Sequence, residues 1–226
     1  MDAKIIVLMP TRGLIVTEAE AALDRELAAN KQSPVIIRTW DMPLPVSRNF
    51  LVETALKYDW WTHALLIDDD VILPAGGLKE MIKLNADVAV MDYPIHIKVE
   101  GKGVGTIVRD NDGKIAYAGL GATLVQRNVF EGLESPWFVL TQYRVGRGNK
   151  GEIGFYAGQA NDGKEMSAGE DTHFFLHLRK NSYSVKETKK TASHARIDQM
   201  VTSMHNNRYG RQHTITKSDK IEKELV

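Results

Sequence analysis

The apolar residues of this chain fall first into short unbroken runs and between them into helical spacing. Lys4–Leu8 is a continuous apolar run closed by Pro10, the pattern of a strand buried on both faces. After the turn Thr11-Arg12-Gly13, the capping-box spacing Thr17-x-x-Glu20 predicts a helix running to about Asn30. Pro34–Trp40 reads as a second strand, and Met42-Pro-Leu-Pro45 as a break. Ser47 then stands where it can cap a helix whose face is Phe50, Leu51, Thr54, Ala55 and Tyr58. A third strand over His63–Ile67 runs straight into Asp68-Asp69-Asp70. Pro74 to Asn85 reads as a helix and Asp87–Met91 as a fourth strand. This βαβαβαβ order predicts a mostly parallel sheet with helices on both faces.

The pattern then changes. Val104–Arg109 and Lys114–Ala118 flank Asp110-Asn-Asp-Gly113, a hairpin signal, and Gly121–Gln126 reads as another strand. Residues 141–169 carry seven glycines and predict a mobile loop. Thr172–Lys180 is a short helix with Phe174, Phe175 and Leu178 inward and Asn181 as its C-cap, followed by a last strand at Ser184–Lys186 and a polar tail beyond about 200.

Composition narrows the class. At 226 residues, 43% hydrophobic and 26% charged, the chain is an ordinary globular one. It has no cysteine, which excludes thiolate metal sites and cysteine catalysis. No segment approaches the roughly 18 apolar residues a membrane span needs. The opening apolar run is too short for a signal-peptide core, so a cytoplasmic location is expected. Formal net charge is zero, yet residues 179–217 hold nine Lys/Arg against two acids, a local +7. That stretch is either a solvated face or a seat for an anion, a diphosphate or a nucleic-acid backbone.

Three consecutive aspartates after a buried strand repel one another, and a hard divalent cation is the usual compensation. Strand alternation puts Asp68 and Asp70 on one side and Asp69 on the other. In parallel α/β sheets, ligands gather at the carboxyl ends of the strands. Two enzyme classes place Asp-x-Asp there: haloacid-dehalogenase-like phosphatases, with Asp68 as nucleophile, and GT-A glycosyltransferases. The phosphatase motif follows the first strand, whereas here it follows the third.

Four stretches, in order, are similar to GT-A glycosyltransferases, including the small bacterial and phage-type members. They are Pro10-Thr11-Arg12-Gly13, Ser47-Arg48-Asn49-Phe50-Leu51-Val52-Glu53, Ala64-Leu-Leu-Ile-Asp-Asp-Asp-Val-Ile-Leu-Pro74 and Gly169-Glu170-Asp171-Thr172-His173-Phe174-Phe175. The resemblance implies an α/β GT-A domain over 1–200. It comprises a Rossmann-like nucleotide-binding half (1–92), a mixed acceptor and catalytic half (93–200), and a tail at 201–226. It implies a hexosyl- or pentosyltransferase that takes a nucleotide-diphosphate sugar, a UDP-sugar foremost, with Mn²⁺ or Mg²⁺. Asp68, Asp70 and His194 would hold the metal. Thr11, Arg12, Asp41, Arg48, Asp68, Asp69 and Arg196 would contact the donor, with Lys189 and Lys190 as further phosphate candidates. Asp171 would be the base and Glu170 its neighbour orienting sugar or acceptor, an arrangement that points to inversion. The acceptor is a glycan, a protein or a hydroxymethylated DNA base.

Plainer readings stand beside these. The aspartates can form an acidic turn, Glu170 and Asp171 can cap a helix, Thr11-Arg12 can be a simple turn, and Arg48 and His194 can be surface residues. His173 and His177, one turn apart, lack the zincin pattern and read as a helix face. Trp60-Trp61 read as core, and Trp137 as a candidate sugar-stacking platform. A nucleotide-sugar-binding module without turnover is the remaining alternative.

Overall fold

The first apolar run becomes the spine of the sheet. In the computed structural model, which describes residues 3–11, 13, 15–32, 35–99, 102–147, 153–156 and 166–195, it forms β1 (Ile5–Thr11), buried at all seven positions. There follow α1 (Thr17–Ala29), β2 (Val35–Trp40), α2 (Leu44–Leu56), β3 (His63–Ile67), β4 (Val71–Ile72), α3 (Gly77–Lys83) and β5 (Val88–Val90). The second half adds β6 (Pro94–Val99), β7 (Lys102–Gly105), β8 (Val108–Arg109), β9 (Ile115–Tyr117), β10 (Ala122–Gln126) and α4 (Arg127–Gly132). It ends with β11 (Thr141–Arg147), β12 (Ile153–Tyr156), β13 (Met166–Ala168), α5 (Glu170–Lys180), β14 (Val185–Glu187) and β15 (Ser193–His194).

The main sheet has six strands in the order β14-β5-β10-β3-β1-β2. All run parallel except β10, which lies antiparallel between β3 and β5. The expected mixed α/β architecture with a mostly parallel sheet is therefore present. Alternation along β1 sorts the core into two layers. Ile5, Val7 and Met9 pack with Leu23 and Leu27 of α1 and Leu78 and Met81 of α3. Ile6 and Leu8 pack on the other face with Leu51, Val52 and Ala55 of α2 and Phe174, Phe175 and Leu178 of α5. The described fold belongs to one compact unit, Met1–His194.

Several local expectations are corrected. The capping box is not made: α1 starts after Val16 with no side-chain cap, and Glu20 instead receives Arg38 Nη2 at 2.9 Å. α2 starts at Leu44, inside the proline stretch, because a proline in the first turn lacks only an N–H that no helix carbonyl would have accepted. Ser47 is thus inside the helix, hydrogen-bonded to Thr39 Oγ1, and the buried face is Ser47, Arg48, Leu51, Val52 and Ala55. Phe50 and Tyr58 face solvent. α3 is shorter than the span 74–85. Within 141–169, the described residues form an antiparallel sheet, β12-β11-β13, rather than a loop, since backbone pairing such as Gly146 opposite Gly154 needs no side chain. The hairpin around Asp110–Gly113 is present as β8–β9. Asn181 follows α5 as its C-cap, its Nδ2 donating to His177 O at 2.9 Å. The tail expected at 201–226 lies outside the described residues.

These faces make opposite predictions for two phenylalanines. Phe174→Ala should lower the unfolding free energy by about 3–5 kcal/mol. Phe50→Ala, at a side chain 47% exposed, should change it by no more than about 0.5 kcal/mol. Urea denaturation of both variants checks this.

Candidate active site

The carboxyl ends of the parallel strands and the start of antiparallel β10 meet along one edge of the sheet, and the chemistry-bearing residues collect there. β3 stops at Ile67, so Asp68–Asp70 form a turn, closed by Val71 N–H to Asp68 O at 3.3 Å. The three side chains therefore do not follow strand alternation. Asp68 is partly exposed, whereas Asp69 and Asp70 are buried, and Asp69 O accepts the N–H of Val16 at 3.0 Å. An acidic turn open to solvent is excluded for Asp69 and Asp70.

Asp68 is met by Arg48. This guanidinium is only 2% exposed, carried into the sheet edge on the buried face of α2. Its Nη2 donates to Asp68 Oδ1 at 2.8 Å and its Nε to Glu170 Oε1 at 3.2 Å. Burial opposes its charge, but the two carboxylates outweigh that and hold its pKa above the ordinary value. Its Nη1 is buried with no hydrogen-bond partner among the described residues. A surface role for Arg48 is thereby excluded.

Asp70, 4% exposed, faces His194, with Nε2 3.2 Å from Oδ1. The contact arises because β15 pairs antiparallel with β4, His194 opposite Val71. A buried carboxylate oxygen facing an imidazole nitrogen makes Asp70 and His194 the described residues that could hold a divalent cation. Among the described residues, no group of three or more such side chains converges, and Asp68 stands apart on Arg48.

At the start of α5, Glu170 is committed to Arg48 and does not cap the helix. Asp171 Oδ1 accepts the N–H of Thr172 at 2.7 Å. Burial pushes its carboxyl pKa up, with Glu170 adding to the shift, while the Thr172 bond and Arg48 act in the opposite sense. The same carboxylate raises the pKa of Tyr117, after burial.

A second group sits at the ends of β1 and β2. Thr11 is buried, its Oγ1 accepting Gly13 N–H at 2.8 Å and its carbonyl accepting Asp41 N–H at 3.0 Å. Asp41 is exposed in a left-handed conformation (φ 49°). Beside it Trp40 is 59% exposed, with its ring 4.0 Å from where a Cβ on Gly13 would be. Arg12 and Arg196 lie outside the described residues. Lys189 and Lys190 are exposed, the former giving its backbone N–H to Glu80 Oε1 at 2.5 Å.

Trp137 is not a platform for sugar. It is buried, with Nε1 donating to the carbonyls of Phe130 and Leu133 at 3.1 and 3.2 Å and its ring edge-on to Phe130. Trp61 is core as expected. His173 and His177 lie 4.2 Å apart by ring centroids, with His173 Nδ1 3.2 Å from Trp137 O.

Three participants escaped the sequence reading: Trp40, Tyr93 and the pair Gly119/Gly121. Tyr93 is 6% exposed and its hydroxyl accepts Gly121 N–H at 3.1 Å. Burial and then Asp68 push its pKa far up. A Cβ on Gly119 or Gly121 would come within 2.5 or 2.6 Å of that hydroxyl, and one on Gly121 within 2.5 Å of Asp68 Oδ2. The readable signal was Gly-Leu-Gly directly before an apolar strand.

No protein-family model matches the sequence, and no curated protein matches it. Thirty-five chains of solved structures are similar in fold. A197 from STIV is 15% identical at a TM-score of 0.50, over 85% of this chain and 82% of that one. A glycosyltransferase involved in the glycosylation of the major capsid of PBCV-1 is 13% identical at a TM-score of 0.34, over 59% of this chain and 69% of that one. The first of these likenesses supports the fold alone. No helix among the described residues is long and apolar enough to cross a membrane.

The raised pKa of Asp171 fixes a stability effect. A carboxyl that holds its proton more tightly in the folded state destabilises that state once pH exceeds its unfolded value. Asp171→Asn, which keeps an acceptor for Thr172, should therefore melt higher than the wild type at pH 7. The advantage should fade as pH falls through the folded pKa, and melting curves from pH 3 to 8 check this.

Proposed function

We propose that this chain is a GT-A-type glycosyltransferase that moves a sugar from a nucleotide diphosphate, a UDP-sugar foremost, to an acceptor hydroxyl. The observation that carries the reading is Arg48, buried between Asp68 and Glu170 with its Nη1 unpartnered among the described residues. A buried cation with a spare donor, flanked by a cation-type pair on one side and a raised carboxyl on the other, suits a site for a charged, hydroxyl-rich substrate.

In this reading Thr11, Gly13, Trp40 and Asp41 form the shelf for the nucleoside, the exposed indole stacking on the base. Asp70 and His194 would hold a divalent cation, which when bound would supply charge neutralisation of the leaving diphosphate. Asp68 orients the donor, and the free Nη1 of Arg48 donates to a donor oxygen. Arg12, Arg196, Lys189 and Lys190 remain candidates for further phosphate contacts. Glu170, fixed by Arg48, accepts from a substrate hydroxyl. Asp171 takes the acceptor proton as the acceptor oxygen bonds the anomeric carbon. The C–O bond to the diphosphate breaks, and its electron pair leaves with the phosphate. Such an attack inverts the anomeric centre. The acceptor class is a glycan, a protein or a hydroxymethylated DNA base.

Melting with UDP, GDP, CMP and dTDP, each with Mn²⁺ or with EDTA, tests the donor site. A ligand at 100 times its Kd adds about 2.7 kcal/mol. Metal-dependent stabilisation by UDP is expected; none by any nucleotide overturns the reading. UDP release from UDP-sugars offered the three acceptor classes tests turnover. Asp171→Asn should lower it by about 10²–10⁴-fold while sparing donor binding. In the wild type the rate should rise with pH through a limb displaced above the ordinary carboxylate range, because Asp171 must lose its proton to act. Donor binding without turnover on any acceptor would make the chain a binding module. Phosphate release from simple monoesters with phosphorylation of Asp68 would make it a phosphatase.

A further inference from the structure

Tyr93 has no part in the scheme above, yet it touches both sides of the carboxylate turn. Its ring stacks on His194, centroids 5.9 Å apart and planes 11° from parallel. Its hydroxyl lies in the notch left by two absent side chains, receiving Gly121 N–H at 3.1 Å. Asp68 Oδ2 abuts the same notch, since one Cβ on Gly121 would collide with both.

His194 ends a strand of two residues, which among the described residues pairs antiparallel with β4. The chain just before it is pinned beside Tyr93, where Ala192 N–H meets Asp92 O at 2.8 Å. The aromatic face then sets the plane of the imidazole, and that plane aims Nε2 at Asp70. We infer that Tyr93 is a positioning residue that orients His194 toward Asp70. The inference rests on the reading of Asp70 and His194 as the cation pair.

The test has a metal-free arm and a metal arm, using the wild type, Tyr93→Phe, Tyr93→Leu and His194→Ala. Long-range ¹H–¹⁵N spectra of the metal-free protein report the imidazole directly. Tyr93→Phe keeps the ring and should leave the His194 resonances in place; Tyr93→Leu should move them. Free-Mn²⁺ electron paramagnetic resonance should show Tyr93→Leu weakened about 10–100-fold and Tyr93→Phe rescued. Tyr93→Leu combined with His194→Ala should bind no more weakly than His194→Ala alone. Should Tyr93→Leu fail to fold, Gly121→Ala displaces the hydroxyl from the other side and is expected to move the same resonances.

Unmoved His194 resonances in both Tyr93→Leu and Gly121→Ala overturn the inference, as do additive losses in the double variant. A wild type that binds no Mn²⁺, while Tyr93→Leu still moves the resonances, overturns the cation site and leaves the positioning role standing.

Discussion

A buried guanidinium holds this sheet edge together. Arg48 comes from α2, Asp68 from the end of β3 and Glu170 from the start of α5, three elements far apart in sequence. Removing a charge from water costs several kcal/mol, which only close and well-aligned partners offset. Two carboxylates at 2.8 and 3.2 Å supply that here. The interaction therefore sets where α5 begins relative to the aspartate turn. Asp171, the next residue, is inclined to keep its proton because it is buried, and Arg48 only moderates that.

Around this pair the rest is close approach. Gly119 and Gly121 are absent side chains that let a phenol and a carboxylate reach the mouth of β10. Two short strands, β4 and β15, bring a histidine from the far end of the fold to Asp70. The chemistry is thus assembled from pieces that touch the sheet edge for a few residues each, while the two apolar layers below provide rigidity.

What could be read in advance follows from how local the signal is. Leu65-Leu66-Ile67 running into three aspartates marks a strand end whatever surrounds it, and β3 ends where it was expected, though the aspartates turn rather than alternate. The inward face of α5 was legible because Phe174, Phe175 and Leu178 repeat at helical spacing. Arg48 was legible as a participant but not as a buried one. Its helix starts within a proline stretch that reads as a break, which rotates the face from Phe50 to Arg48. Glu20 fits a capping box by spacing, yet a cross-element partner, Arg38, takes its carboxylate. Tyr93 and Trp40 carried no motif, since an aromatic after a strand looks the same whether it fills core or lines a cleft.

The antiparallel β10 has a consequence for how the chain can be divided. β3 and β5 never touch within the sheet; residues 122–126 fill the gap, and Val185–Glu187 close the far edge. The first 92 residues do not contain the whole sheet. Cut there, β3 would present a raw edge of apolar backbone and β5 would have no neighbour in the sheet. The pairing of β10 with β3 joins residues at least 55 apart, and the sheet completes only when Val185 pairs with Val88, 97 positions earlier.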